Sequence, residues 1–179
     1  MVEKLEREQL ALMIRRATEE VFTTMLGVTV RADESYLELT PPAQFDGIVS
    51  FIGMAGAWAG TGSLCCSSKF ACSLSSSFLM AEFAVVDEQV LDAIGELTNM
   101  IIGNVKNEVE EHLGPMGLSI PTVIHGSNFC ARSLGRDAWT VVPFWAGEDR
   151  LDVKICLTPK DGAGQDHGTA QAHSFSLRH

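Results

Sequence analysis

The chain has 179 residues, of which 46% are hydrophobic, and its 13 basic and 23 acidic side chains give a formal net charge of −10. This length and composition indicate one folded domain, and the excess of acidic side chains disfavours a nucleic-acid partner, because phosphate backbones are repelled. Residues 1–10 are charged where a signal peptide is apolar, and no apolar run approaches the roughly 20 residues of a membrane-spanning helix, so we expect a cytoplasmic protein without membrane insertion.

Hydrophobic periodicity and turn signals predict the secondary structure in chain order. The predicted elements are a helix at residues 3–25 with Gly27 as its C-cap, short strands at 28–31 and 36–40, a hairpin of strands at 48–54 and 63–67, a helix at 69–83, a long helix at 87–113, an extended segment at 119–126, and strands at 138–146 and 151–158. The hairpin turn is predicted to contain four glycines, Gly53, Gly56, Gly60 and Gly62. Because strands and helices occur in separate runs, the predicted fold class is α+β: a mostly antiparallel sheet with the helices, including the long one, packed on one face.

The C-terminal stretch differs from the rest of the chain. Residues 160–179 are small and polar without periodicity, so we expect a disordered tail after a folded domain at residues 1–159. Its histidines, His167, His173 and His179, lack the spacing of metal ligands, and no metal site is expected in this chain. The five cysteines, Cys65, Cys66, Cys72, Cys130 and Cys156, include no C-x-x-C pair and are interpreted as small buried apolar residues.

The predicted long helix, with Asp87 as its N-cap and Gly114 as its stop signal, has two faces of different chemistry. Apolar side chains recur every three or four residues, at Val90, Ile94, Leu97, Ile101, Val105 and Val109. The opposite face, called the polar stripe below, consists of Asp92, Glu96, Asn99, Gly103, Lys106 and Glu110. Since no nucleophile motif and no phosphate-binding loop occurs in the sequence, this stripe is the main candidate for a functional site.

The residues alone leave two interpretations of the polar stripe. The simpler one is a solvated helix face whose polar side chains confer solubility. Two residues argue against it, because Asn99 and Gly103 are weak helix formers in mid-helix, and Gly103 leaves room for another backbone to approach.

Four segments resemble the CheX/CheC family of chemotaxis phosphatases. D-A-I-G-E-L-T-N at residues 92–99 is similar to the family signature D/S-x-x-x-E-x-x-N. The following I-I-G-N-V-K-N-E, the S-I-P-T-V-I-H-G segment around Pro121 and the V-F-T-T-M-L-G end of the first helix are similar as well, and the resemblance covers roughly residues 5–158. CheC-type members carry a second E-x-x-N on the first helix, but here Glu20 has Thr23 at the required offset. The chain therefore resembles the single-site CheX branch.

This resemblance implies a phosphatase that accelerates hydrolysis of the aspartyl phosphate on a CheY-like response regulator. Asn99 would orient the attacking water, and Glu96 would pair with the active-site lysine of the receiver domain. Asp92, Gly103 and Pro121 would belong to the binding surface, Gly103 by permitting close approach of receiver loops. No cofactor is expected in this chain, because the phospho-aspartate and Mg²⁺ would both belong to the phosphorylated partner.

The resemblance further implies a homodimer formed through sheet edges. The main alternative is a non-catalytic module that binds response regulators or acts as a flagellar-switch-like interaction domain, which would not need the Glu96–Asn99 pair. A small-molecule hydrolase is a second alternative, and it would require a deep pocket with converging polar groups.

Overall fold

The computed structural model describes residues 5–39, 45–132, 138–159 and 176–178, which form three α-helices and nine strands. The helices are α1 (Arg7–Val21), which a π-helical turn at Phe22–Leu26 extends, α2 (Ser68–Leu79) and α3 (Glu88–Leu113). The strands are β1 (Arg31–Ala32), β2 (Tyr36–Glu38), β3 (Phe45–Gly56), β4 (Trp58–Cys66), β5 (Met116–Leu118), β6 (Thr122–Arg132), β7 (Trp139–Ala146), β8 (Asp149–Pro159) and β9 (Ser176–Arg178). The predicted tail at residues 160–179 lies outside the described residues apart from β9, as do residues 3, 4 and 40 at the ends of two predicted elements.

Every pairing between the described strands is antiparallel. The central order is β7-β8-β4-β3-β6, with β1 and β2 beside β7 at one edge, β5 beside β3 and β9 beside β6. Ile48 and Ile52 belong to the buried cluster that contains the helices' apolar side chains, whereas Val49 and Phe51, on the other face of β3, belong to a separate cluster. The helices therefore cover one face of the sheet, and the predicted α+β class is confirmed. Within the described residues, no helix is long and apolar enough to cross a membrane.

Helix α3 forms between the two signals that the sequence predicted. The carboxylate of Asp87 caps its first turn by accepting a hydrogen bond of 3.0 Å from the Val90 amide. Gly114, with φ +82°, ends it in a backbone conformation that residues with a side chain rarely adopt. All six predicted apolar positions are completely buried: Val90, Ile94, Leu97, Ile101, Val105 and Val109. Because α1 and α2 both pack against α3, which also contacts β3, β4 and β6, this helix occupies the centre of the core.

The predicted hairpin is present, but its turn was placed wrongly. Strands β3 and β4 continue to the pair Ala55 and Ala59, so the connection is shorter than predicted, and Gly53, Gly60 and Gly62 lie within paired strands. Gly62 is required there by close packing rather than by a turn, because a Cβ atom at this position would lie 2.7 Å from side-chain atoms of Ile102 on α3. The absent side chain thus lets α3 approach the sheet.

We predict that Gly62→Ala destabilises the fold by about 1–3 kcal/mol, since the added methyl group overpacks a completely buried contact. Urea denaturation would measure this loss. Gly117→Ala on β5 is the matched control, because its Cβ would meet its nearest neighbour, the Ala55 carbonyl oxygen, at an ordinary 3.7 Å. Equal stability of the two variants would contradict the proposed packing role.

Candidate functional site

The C-terminal half of the polar stripe is occupied by contacts within the chain. Lys106 and Glu110 form an ion pair of 2.9 Å, and the Met116 amide donates a hydrogen bond of 2.7 Å to Glu110. Lys106 also donates to the Met116 carbonyl at 3.4 Å. The hydrogen bond from Lys106, followed by that from Met116, lowers the pKa of the Glu110 carboxyl group. These two charged residues therefore fasten β5 to α3, and their role is structural.

The N-terminal half of the stripe is different. Asp92 and Glu96 are exposed and Asn99 is half-buried. In the part of the chain that the structure describes, none of these three side chains has a hydrogen-bond or ion-pair partner. The sequence predicted the carboxylate and carboxamide one turn apart, and the structure leaves both available to a molecule outside the chain.

The turn that carries Asn99 is flanked by the segment connecting β5 to β6. Gly95, Asn99 and Gly103 form one row of α3, since they are spaced four residues apart. A Cβ atom built at Gly103 would lie 3.8 Å from Leu118, and one built at Gly95 would lie 3.8 Å from Pro121. The chain between Leu118 and Pro121 consequently runs along the row that contains Asn99. Of the predicted site residues, Asp92, Glu96, Asn99 and Gly103 lie on α3, and Pro121 lies near this helix at Gly95.

Residues 119–121, which connect β5 to β6, form a bulge where this part of the chain pairs with β3. Leu118 pairs with Met54 and Thr122 pairs with Phe51, so three residues, 119–121, face only two residues of β3. Ser119 holds this bulge in place: its amide donates to the Gly53 carbonyl at 2.9 Å, and its hydroxyl accepts from the Gly53 amide at 2.8 Å. The hydroxyl also donates to the carbonyl of Ile120 at 3.0 Å. These hydrogen bonds therefore hold the 119–121 bulge in a fixed position beside Asn99.

Sequence reasoning missed the buried Gly95, one turn before Asn99, and the exposed residues Ser119 and Ile120. The spacing of Gly95, Asn99 and Gly103 was a visible signal for a small-residue row around Asn99. The contributions of Ser119 and Ile120 had no comparable signal, because they depend on the pairing register of three strands.

Other catalytic groups are limited among the described residues. No group of three or more histidine, cysteine or acidic side chains is placed there to hold a metal ion. Burial raises the pKa of the Cys65 thiol to about 11 and also raises that of Cys66, so neither is a thiolate at neutral pH. Cys66, Cys72 and Cys156 are buried as predicted and Cys65 is partly buried, while the side chain of Cys130 lies outside the description.

A groove of about 480 Å³ lies beside β3, β4 and β5, and it offers little chemistry for a small-molecule hydrolase. Its lining residues carry no titratable side chain; they are Phe51, Gly53, Met54, Ala55, Gly60, Thr61, Gly117, Leu118, Ser119 and Thr122. The exposed carboxylate of Glu96 and the half-buried carboxamide of Asn99 thus remain the polar groups best placed to act on another molecule.

The fold defines a class of known proteins. A CheC-like superfamily protein from Shewanella sp. PV-4 matches with a TM-score of 0.74 and 22% identity, over 83% of this chain and 97% of that one. CheX from Desulfovibrio desulfuricans matches with a TM-score of 0.76 and 23% identity, over 84% and 99%. CheX in a complex with CheY, BeF₃ and Mg²⁺ from Borrelia burgdorferi matches with a TM-score of 0.70 and 19% identity, over 86% and 99%. At these identities the likeness supports the CheC-like fold.

The family follows from the sequence itself. Residues 48–144, more than half of the chain, match the family model of the chemotaxis phosphatase CheX. The chain therefore belongs to the CheX family, and the resemblance identified from its motifs is confirmed. No curated protein matches the chain.

We predict that Gly103→Ala stabilises the isolated protein by up to about 1 kcal/mol, because alanine is the better helix former and its Cβ would meet Leu118 at an ordinary 3.8 Å. Urea denaturation of both proteins would measure the difference. A destabilised variant would instead show that folding of the chain requires glycine at position 103.

Proposed function

We propose that this protein accelerates hydrolysis of the aspartyl phosphate on a phosphorylated CheY-like receiver domain. The observation that carries this proposal is the pair of Glu96 and Asn99 on α3, whose side chains have no hydrogen-bond or ion-pair partner in the described part of the chain, in a protein that belongs to the chemotaxis phosphatase CheX family. The neighbouring Lys106 and Glu110 are already engaged by β5. A CheY-like partner also implies that the protein acts in the cytoplasm.

In this proposal Asn99 orients the water that attacks phosphorus. A carboxamide has both an acceptor oxygen and a donor nitrogen, so it can hold a water molecule in one orientation without being ionised. Asn99 is half-buried, and Gly95 and Gly103, one turn before and after it on α3, place no side chain beside it. Positioning of the attacking water is the main contribution that a protein can make to phosphoryl transfer when the partner supplies the charged groups.

Glu96 is proposed to dock the active-site lysine of the receiver. Its exposed carboxylate would otherwise repel a phosphorylated surface, so a cation must lie opposite it when the two proteins meet. Asp92, one turn earlier, adds to the same negative potential at the periphery. Mg²⁺ is assigned to the receiver; a structure of the related CheX from Borrelia burgdorferi is a complex with CheY, BeF₃ and Mg²⁺.

The remaining predicted positions have supporting roles. Pro121 lines the surface beside Gly95, and Gly103 permits the receiver loops to approach α3. We further propose, on the basis of family membership, that the protein is a homodimer formed through sheet edges.

We predict that Asn99→Ala lowers the stimulated rate of phosphate release on the order of 100-fold while leaving the fold intact, because the water loses its orienting group. The measurement is phosphate release from each phosphorylated CheY-like receiver of the same organism, in the presence of Mg²⁺. Asn107→Ala, which removes an exposed carboxamide from the same helix two turns away, should behave as wild type. An Asn99→Ala protein as active as wild type would refute the mechanism, and receiver binding without any acceleration by wild type would favour a non-catalytic binding module.

For Glu96→Ala we predict an increase of at least about tenfold in the receiver concentration needed for half-maximal rate, with a smaller change in the maximal rate, because a docking ion pair is lost. Steady-state kinetics at several receiver concentrations would separate the two effects. Glu111→Ala, which removes an exposed glutamate from the last turn of α3, is the matched control. A change confined to the maximal rate would assign Glu96 to the chemical step instead.

A further inference from the structure

The most exposed large apolar side chain near the candidate site is Ile120, at 87% exposure. A single exposed hydrophobic residue is common on protein surfaces and has no meaning by itself. Ile120 differs because it is the central residue of the 119–121 bulge, which lies beside Asn99. Bulges occur frequently next to active sites, where the extra residue changes the direction of a side chain.

The backbone around Ile120 is held in place before any partner arrives. Ser119 makes two hydrogen bonds to Gly53 of β3 and a third to the carbonyl of Ile120 itself. On the other side, Pro121 restricts the backbone of the residue before it, and its ring lies near α3, because a Cβ atom built at Gly95 would be 3.8 Å from it. An apolar side chain on such an anchored backbone loses little conformational freedom on binding, which favours a role in docking.

The charges around the site differ on its two sides. Asp92 and Glu96 supply negative charge on the helix, whereas residues 113–124, which include the bulge, contain no charged side chain. A complementary partner therefore presents a cation opposite Glu96, its phosphoryl group opposite Asn99 and an apolar surface opposite Ile120. These three contacts fix the orientation of the partner more strictly than the ion pair alone.

We propose that Ile120 is an apolar docking residue that contacts an uncharged patch of the receiver beside its phospho-aspartate. This role rests on the proposed function, since the receiver is the occupant assigned to the surface. Ile120 touches the partner but takes no part in the chemical step, so its loss should affect docking and not the maximal rate.

The test uses the affinity of the full chain for a CheY-like receiver saturated with beryllium fluoride and Mg²⁺, together with phosphate-release kinetics. Ile120→Ser should weaken binding about tenfold and raise the half-saturating receiver concentration to the same degree, with an unchanged maximal rate. Because the lost contact is apolar, this factor should be similar at low and high salt, whereas the effect of Glu96→Ala should shrink at high salt. Ile120→Val should retain most of the wild-type affinity.

Met80→Ser is the matched control. Met80 is 95% exposed and ends helix α2, so it lies outside the sheet edges proposed for the dimer. Both serine variants should unfold at the wild-type temperature, since each removes a side chain that is mostly in solvent.

The outcomes separate the docking role of Ile120 from the proposed function. If wild type accelerates phosphate release and Ile120→Ser binds as tightly as wild type, the docking role is refuted and the phosphatase proposal stands. If wild type binds the receiver without accelerating release, the phosphatase proposal fails, and a weaker Ile120→Ser complex still supports the docking role. If wild type does not bind any receiver, both are refuted.

Discussion

The packing of α3 against the sheet is the contact on which the rest of the structure depends. Its apolar face is completely buried, and each large side chain that leaves water there contributes about 1.5–3 kcal/mol. The close approach relies on Gly62, where any side chain would collide with Ile102. Because this packing holds the apolar face of α3, it also fixes the position of the polar stripe relative to the β5–β6 connection.

That constraint explains how one helix face supports two roles. Lys106 and Glu110 hold β5 against the last turns of α3, so the chain leaving β5 must run back along the same helix. The 119–121 bulge then passes beside Asn99, where Ser119 anchors it to β3. The half of the polar stripe that contains Lys106 and Glu110 therefore positions the 119–121 bulge beside the half that contains Glu96 and Asn99. A site that positions a water molecule benefits from such rigidity, because misplacement by about 1 Å can reduce a rate on the order of 100-fold.

Much of α3 could be predicted from the sequence because its signals are local. Asp87, the apolar periodicity and Gly114 are read within a few residues of the helix they define. The hairpin was predicted for similar reasons, but its turn was misplaced because glycine was interpreted as a turn signal. Gly60 and Gly62 instead lie in β4, where neighbouring chain segments leave no room for a Cβ atom. Glycine in a sequence does not distinguish a bend of the backbone from the approach of a distant segment.

The candidate site shows the same division between local and long-range information. By itself the sequence determined the carboxylate and carboxamide one turn apart, the family that carries them and the helix that presents them. Only the tertiary structure decided that Lys106 and Glu110 are engaged within the chain, that Glu96 and Asn99 have no partner among the described residues, and that Ile120 is exposed on the segment between β5 and β6. The physical reason is sequence separation. The hydrogen bond between Gly53 and Ser119 joins residues 66 positions apart, and such a contact exists only after the strands have paired in register.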